Sequence, residues 1–301
     1  MQTPDWLNRL EYPFSPHWMD LPAGRMHYVD EGRGETIVML HGNPDWSFAY
    51  RKVIKALRND YHCIAPDLIG FGLSDKPQDW SYLPADHAYQ FELFVRKLHL
   101  RNITLVLNDW GGPIGLHYAL RYPENVKRLV IMNTWMWPVN DDWYYRIFSG
   151  FMGSKLGKWL IQRFDFFNRI IVPAVVGNKE AFTKEVWKHY RAPLQKPEYR
   201  KGNWTFPGQI VGSSAWLGKL WEQREKIINK PTLLFWGLKD IGFREKELQR
   251  WEKLLTDKQV IRIANSGHYP QEEASEQLVK ALRAFIGTPE RTEEEEKDTY
   301  S

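Results

Sequence analysis

The 301 residues include a single cysteine, Cys63. No internal disulfide can form, and a reducing interior is the natural setting, so a cytoplasmic protein is expected. No apolar run approaches the roughly 18 residues of a membrane span. The stretch Met1 to Arg9, with Asp5, Trp6 and Arg9, has no charged-then-apolar export signal. No membrane partner is expected. Basic residues never form a run of about five or six, so a nucleic-acid partner is not expected either. No repeat of roughly 20–50 residues is present, which excludes solenoids and propellers. The nine histidines contain no pair four residues apart suited to zinc, so no metal is expected. Gly70-Phe-Gly72 lacks the third glycine of a dinucleotide loop and reads as a turn after Asp67; no cofactor is expected. Nowhere does Gly-x-Ser-x-Gly occur, which removes the serine version of a nucleophile elbow.

What is present is a soluble globular chain. Apolar residues make up 43% and charged residues 26%. A chain of this length buries roughly 75% of its unfolded surface and needs no disulfide or structural metal. The net charge is +4. Residues 288–301 carry six acidic and two basic side chains, and are expected to be an acidic, disordered tail.

Short apolar, β-branched runs recur between turn residues: 36–40, 62–65, 103–107, 128–132, 232–236 and 260–263. Runs apolar on nearly every residue predict strands covered on both faces. Helix-like stretches lie between them, over 48–58, 85–98, 113–122 and 272–285. Strand alternating with helix implies an α/β fold with a mostly parallel central sheet flanked by helices. An antiparallel start is expected from 18–21 and 25–29, which flank the turn Pro22-Ala23-Gly24. The alternation breaks over 138–213, which looks helical and holds fifteen aromatic residues. That segment is expected to be a helical cap inserted after the sixth strand, over the sheet edge where such folds bind ligands. Residues 1–137 and 214–287 then form the main domain. Most of the cap aromatics are expected to glue it to the body, and a few to wall a pocket.

Three strand ends carry chemistry. Asn108-Asp-Trp-Gly-Gly112 has the form of a nucleophile elbow, with small residues downstream and Leu107 in place of a small residue upstream. Taken alone, an aspartate at a strand end caps a helix. Followed by Trp-Gly-Gly, with the other motifs in order, Asp109 reads as a nucleophile. A carboxylate that attacks a saturated carbon forms an alkyl ester, whose carbonyl then accepts water; a serine would form an inert ether. His268, in Asn265-Ser-Gly-His268, is the expected base for that water. Asp240, in Trp236-Gly-Leu-Lys-Asp240, is expected to orient it. The backbone N–H groups of Asn43 and Trp110 are expected to hold the oxyanion.

His41-Gly-Asn-Pro44, Asp67-Leu-Ile-Gly-Phe-Gly-Leu-Ser-Asp75, Asn108-Asp-Trp-Gly-Gly112, Trp236-Gly-Leu-Lys-Asp240 and Ser266-Gly-His268 together resemble the haloalkane dehalogenase family of α/β-hydrolases. The resemblance runs from about Tyr12 to Phe285 and implies the α/β-hydrolase fold. It implies cleavage of a carbon–halogen bond through a covalent ester, giving an alcohol, halide and a proton. The Trp110 indole and the Asn43 amide are then the halide-binding donors, and the partners are a small haloalkane and a halide ion. Halide leaves as a weakly basic anion and wants donors that are not acids. Two departures stand out. Asn108 replaces the His or Gln frequent before the nucleophile. Asn133 and Thr134 stand where some members place the triad acid, which leaves Asp240. The resemblance extends to relatives that decarboxylate β-lactones and, in the core, to epoxide hydrolases, which use two cap tyrosines. Tyr144, Tyr145, Tyr190 and Tyr199 keep that alternative open. A non-catalytic small-molecule sensor is a further alternative, set against the presence of nucleophile, base and acid.

Overall fold

The computed structural model describes residues 4–287; the tail expected over 288–301 lies outside the described residues. Eight strands form one sheet: β1 (His17–Leu21), β2 (Gly24–Glu31), β3 (Thr36–Leu40), β4 (His62–Pro66), β5 (Ile103–Asn108), β6 (Val126–Met132), β7 (Thr232–Gly237) and β8 (Lys258–Ile263). Their spatial order is β1-β2-β4-β3-β5-β6-β7-β8. The β1–β2 and β2–β4 pairs are antiparallel and the rest are parallel. The chain therefore has the expected antiparallel start on an otherwise parallel sheet.

Alternate residues of the central strands go to opposite faces, as the strand period of two requires. Leu105, Leu107, Leu129, Ile131, Leu234 and Trp236 join one core, and Val106, Val130, Met132, Leu233 and Phe235 join the other. Every residue of β5 and β7 is buried. Two-sided burial explains why these runs lack polar alternation. Cutting Leu105 back to alanine costs about 2–5 kcal/mol at such a site.

Helices supply the crossovers: α1 (Arg51–Leu57), α2 (Pro84–Lys97) and α3 (Gly111–Arg121). Between β6 and β7 the chain has no strand. It runs through α4 (Trp143–Gly153), α5 (Lys155–Phe164), α6 (Val172–Val175), α7 (Lys184–Arg191), α8 (Lys201–Gly212) and α9 (Ser214–Glu222). A π-helical turn, Phe167–Ile171, precedes α6. After β7 come α10 (Glu245–Leu254), α11 (Pro270–Glu273) and α12 (Ser275–Ile286). The single helix expected over 272–285 is thus two, broken at Ala274, whose φ of −139° is not helical.

The departure at Leu107 also has a physical reason. A Cβ on Gly115, one turn into α3, would lie 2.3 Å from Leu107 Cδ2. The small residue that lets strand and helix approach sits on the helix instead of the strand.

Candidate active site

The turn from β5 into α3 exposes Asp109 at the carboxyl end of the sheet. Its φ is +49°, a left-handed conformation that an L side chain adopts only when its surroundings hold it there. Three contacts do so. Asp109 N–H donates to Asn133 O at 3.1 Å, Asp109 O accepts from Gly112 N–H at 2.9 Å, and the Thr134 hydroxyl donates to the same carbonyl. The loop after β3 closes on the side chain from the other side. A Cβ on Gly42 would lie 2.2 Å from Asp109 Oδ1, so only glycine fits.

Asp109 Oδ1 accepts from Asn43 N–H at 2.7 Å, and the carboxylate also accepts from Trp110 N–H. Its Oδ2 lies 3.6 Å from His268 Nε2. On the far side of the ring, His268 Nδ1 is 2.9 Å from Asp240 Oδ2. Asp240 Oδ1 accepts from Gly242 N–H at 2.7 Å, and Oδ2 accepts from Asn133 Nδ2 at 3.0 Å. The structure therefore brings together all five residues singled out in the sequence: Asp109, His268, Asp240, Asn43 and Trp110.

The Trp110 indole N–H and the Asn43 side-chain N–H have no acceptor among the described residues, and both residues line a cavity over Asp109. The cavity measures about 260 Å³. Tyr144, Tyr145 and Phe148 from α4, Phe167 and Ile171 from the π-helical turn, and Pro207 and Ile210 from α8 make an apolar wall. Ile241 to Phe243 and Tyr269 complete it. Four of the fifteen cap aromatics thus face the cavity, and Phe206 packs on Trp110 with ring centroids 5.1 Å apart. Three cap tyrosines donate elsewhere: Tyr144 to Ile241 O at 2.9 Å, Tyr145 to Gly242 O at 2.8 Å, and Tyr190 to Glu272 Oε2 at 3.3 Å. Tyr199 is absent from the lining. Among the described residues no three His, Cys, Asp or Glu side chains are arranged to hold a metal.

Charge is concentrated here. Burial opposes a charged His268, but the carboxylates of Asp240, Asp109 and Asp45 outweigh it and raise the imidazole from 6.5 to about 9. Burial lifts the Asp109 carboxyl above the ordinary carboxylate range, against the pull of His268 and the two N–H groups. His41 plays a different part. It lies between Gly42 O (2.7 Å) and Leu68 N–H (2.9 Å), and burial lowers its pKa. It is a neutral prop for the Asn43 loop.

Several residues here carry no motif of their own. Asn108 donates to Met132 O at 3.0 Å and to His268 O at 3.2 Å, and so fastens the histidine loop to the elbow. Asn133 bonds both Gly237 and Asp240. Asp45 is fully buried close to Asn43 with Oδ1 unpaired among the described residues, and burial raises its carboxyl well above the ordinary carboxylate range. Glu273 gathers four backbone N–H groups. Oε2 accepts from Gly177 (2.8 Å), Asn178 (2.5 Å) and Gly267 (2.9 Å), and Oε1 from Tyr269 (3.1 Å). It binds the segment after α6 to both neighbours of His268. Val175 O accepts from His268 N–H at 2.9 Å in the same seam. A Cβ on Gly177 would lie 2.4 Å from Gly267 N, which is why two glycines meet there. The Ser-Gly-His run was the only sequence signal of this seam.

A family model described as the alpha/beta hydrolase fold matches residues 35–275. "Haloalkane dehalogenase 2" of Mycobacterium tuberculosis is 38% identical over 278 residues, covering 92% of this chain and 96% of the relative. A "Cis-3-alkyl-4-alkyloxetan-2-one decarboxylase" of Shewanella oneidensis is 36% identical over 296 residues, with 91% and 89% covered. The crystal structure of haloalkane dehalogenase DbeA from Bradyrhizobium elkani superposes with a TM-score of 0.83 at 27% identity, covering 91% of this chain and 97% of that one.

Proposed function

From the premise that the chain belongs to the haloalkane dehalogenase family of α/β-hydrolases, we propose a two-step displacement on a haloalkane carried by Asp109. The protein is a hydrolase of carbon–halogen bonds, with a small haloalkane as substrate and halide as product. In the first step Asp109 Oδ2 attacks the carbon that bears the halogen. A C–O bond forms, the carbon–halogen bond breaks, and its electron pair leaves with the halide. Trp110 Nε1 and Asn43 Nδ2 donate to the departing anion. In the second step His268 Nε2 takes a proton from water, and the hydroxide adds to the ester carbonyl carbon. The charge that builds on Oδ1 is met by the N–H groups of Asn43 and Trp110. Collapse breaks the bond between that carbon and the alkyl oxygen, and the alcohol leaves with the proton from His268. Asp240 orients the imidazole and steadies the imidazolium.

The observation that carries this reading is the pair of unpaired N–H donors facing an apolar cavity beside a buried carboxylate. Residues 138–213 act as the cap over residues 1–137 and 214–287, and supply the wall that excludes water. The test is His268→Phe incubated with 1-iodohexane. One iodide per enzyme and a hexyl adduct on Asp109 by mass spectrometry are expected. Iodide release without an adduct would falsify the covalent scheme.

A second reading is favoured by the oxetanone decarboxylase relative. The same carboxylate can open a β-lactone at its alkyl carbon. Carbon dioxide release from a cis-3,4-dialkyl oxetan-2-one, with no halide release from 1-iodohexane, would select it. The epoxide alternative has less support, because Tyr144, Tyr145 and Tyr190 already donate to other acceptors.

A further inference from the structure

The outer face of α4 and α5 is unusual for a soluble protein. Twelve large apolar or aromatic side chains are exposed among the described residues, and six of them lie between Trp143 and Phe164. On α4, Trp143, Ile147 and Phe151 recur every four residues and form one stripe. Trp143 is 69% exposed. On α5, Leu156 and Trp159 are three apart, and the Trp159 ring meets the exposed Phe164 ring at 4.9 Å. A clustered patch of this kind marks a contact surface.

Its charge is one-sided. From Trp143 to Phe164 the chain has Arg146, Lys155, Lys158 and Arg163 and no aspartate or glutamate. All four are exposed, and none forms an ion pair among the described residues. Lys158 lies over the Trp204 ring at 4.0 Å and the other three extend into solvent. Aromatic and aliphatic side chains interleaved with unpaired cations match an anionic bilayer surface, where the rings enter the headgroup layer and the cations meet phosphates. A second copy of the chain would oppose these cations with its own.

The patch also adjoins the cavity. The inner side of α4 supplies Tyr144, Tyr145 and Phe148 to the cavity wall. Ile241, which accepts from the Tyr144 hydroxyl through its carbonyl, lines the cavity and is 51% exposed. The exposed apolar stripe and part of the cavity wall thus lie on one helix.

We propose that the α4–α5 face seats the protein peripherally on anionic membranes, and that the cavity draws its alkyl substrates from the bilayer. No described helix is long and apolar enough to cross a membrane, so the contact is one of surface. The expectation of no membrane partner rested on the lack of a spanning run, which excludes crossing and leaves surface contact open. The docking claim does not depend on the reaction; the delivery claim rests on the proposed reading of the cavity.

Co-sedimentation of the full chain with vesicles tests it. One set is phosphatidylcholine alone and the other phosphatidylcholine with phosphatidylglycerol. Binding to the anionic set is expected, with a preference on the order of a hundredfold that shrinks in high salt. The triple variant Trp143→Ser, Ile147→Ser, Trp159→Ser should lose about tenfold or more of that binding. The pair Lys155→Glu, Arg163→Glu should lose the anionic preference. Both should keep their melting temperature and their turnover of water-soluble 1,2-dibromoethane. That turnover in the wild type reports separately on the reaction. Wild-type protein left in the supernatant with both vesicle sets would overturn the proposal. So would a triple variant that sediments like wild type. A concentration-dependent dimer abolished by the triple variant, without vesicle binding, would assign the face to a second copy instead.

Discussion

Replacing Glu273 with alanine removes one carboxylate and strands four backbone N–H groups. Asn178 borders a polar cleft and Gly177 beside it is half-buried, so water can reach both N–H groups. Those of Gly267 and Tyr269 belong to buried residues and stay dry. An unsatisfied buried donor costs about 1–3 kcal/mol, so the two inner groups cost roughly 2–6 kcal/mol. For a chain of this size that is a fall in Tm of roughly 3–10 °C. The kinetic consequence is more specific. Gly267 and Tyr269 flank His268, while Asp109 is held separately by Asn133, Thr134 and Gly42. The variant should therefore still form the alkyl ester and hydrolyse it slowly. Rapid-quench measurement should show a halide burst of about one per enzyme, followed by a steady rate at least tenfold below wild type. Glu273→Gln keeps one acceptor oxygen and should recover part of both losses. A Tm within 1 °C of wild type, or equal slowing of burst and steady phases, would refute the reasoning.

Three further outcomes follow from the same geometry. Trp110→Phe should slow halide release about 10–100-fold and weaken product inhibition by bromide, the loss of one hydrogen bond to a charge, with single-turnover ester hydrolysis nearly unchanged. His268, raised to about 9 by its carboxylate neighbours, contributes stability that is full below its unfolded value of about 6.5 and is lost as pH rises through about 9. The loss amounts to about 3 kcal/mol, so wild-type Tm should fall across that window relative to the Tm of His268→Phe. Gly42→Ala puts a Cβ 2.2 Å from Asp109 Oδ1 and should cut halide release by about 100-fold or more, with circular dichroism unchanged.

The sheet was legible because buried parallel strands write themselves as apolar runs, and β5 and β7 are buried at every residue. The elbow was legible through Gly111 and Gly112, and the triad through its order in the chain. Other parts were not, for identifiable reasons. Glu272 and Glu273 look like an ordinary helix start. Glu272 instead pairs with Arg51, and Glu273 reaches across to residues nearly a hundred positions upstream. That convergence exists only in three dimensions, and it accompanies the break at Ala274. Leu107 looked like a defect in the elbow because its compensating glycine, Gly115, sits on the next helix. The π-helical turn that places Phe167 and Ile171 on the cavity wall leaves no periodic signature in the sequence.

Two residues, Asn43 and Trp110, meet both halves of the proposed reaction, and they do so with different atoms. Their backbone N–H groups already point at Asp109, where charge returns when water adds to the ester. Their side-chain N–H groups have no acceptor among the described residues, and both residues line the cavity where charge departs with the halide. A leaving anion and a tetrahedral oxyanion never coexist, so one pair of residues can serve both without compromise. Ester formation also changes the base. It removes the Asp109 charge that helps hold His268 at about 9, so the imidazole becomes more easily deprotonated just when a neutral base is required. A carboxylate nucleophile thus does what a serine cannot: its own neutralisation prepares the histidine for the second step.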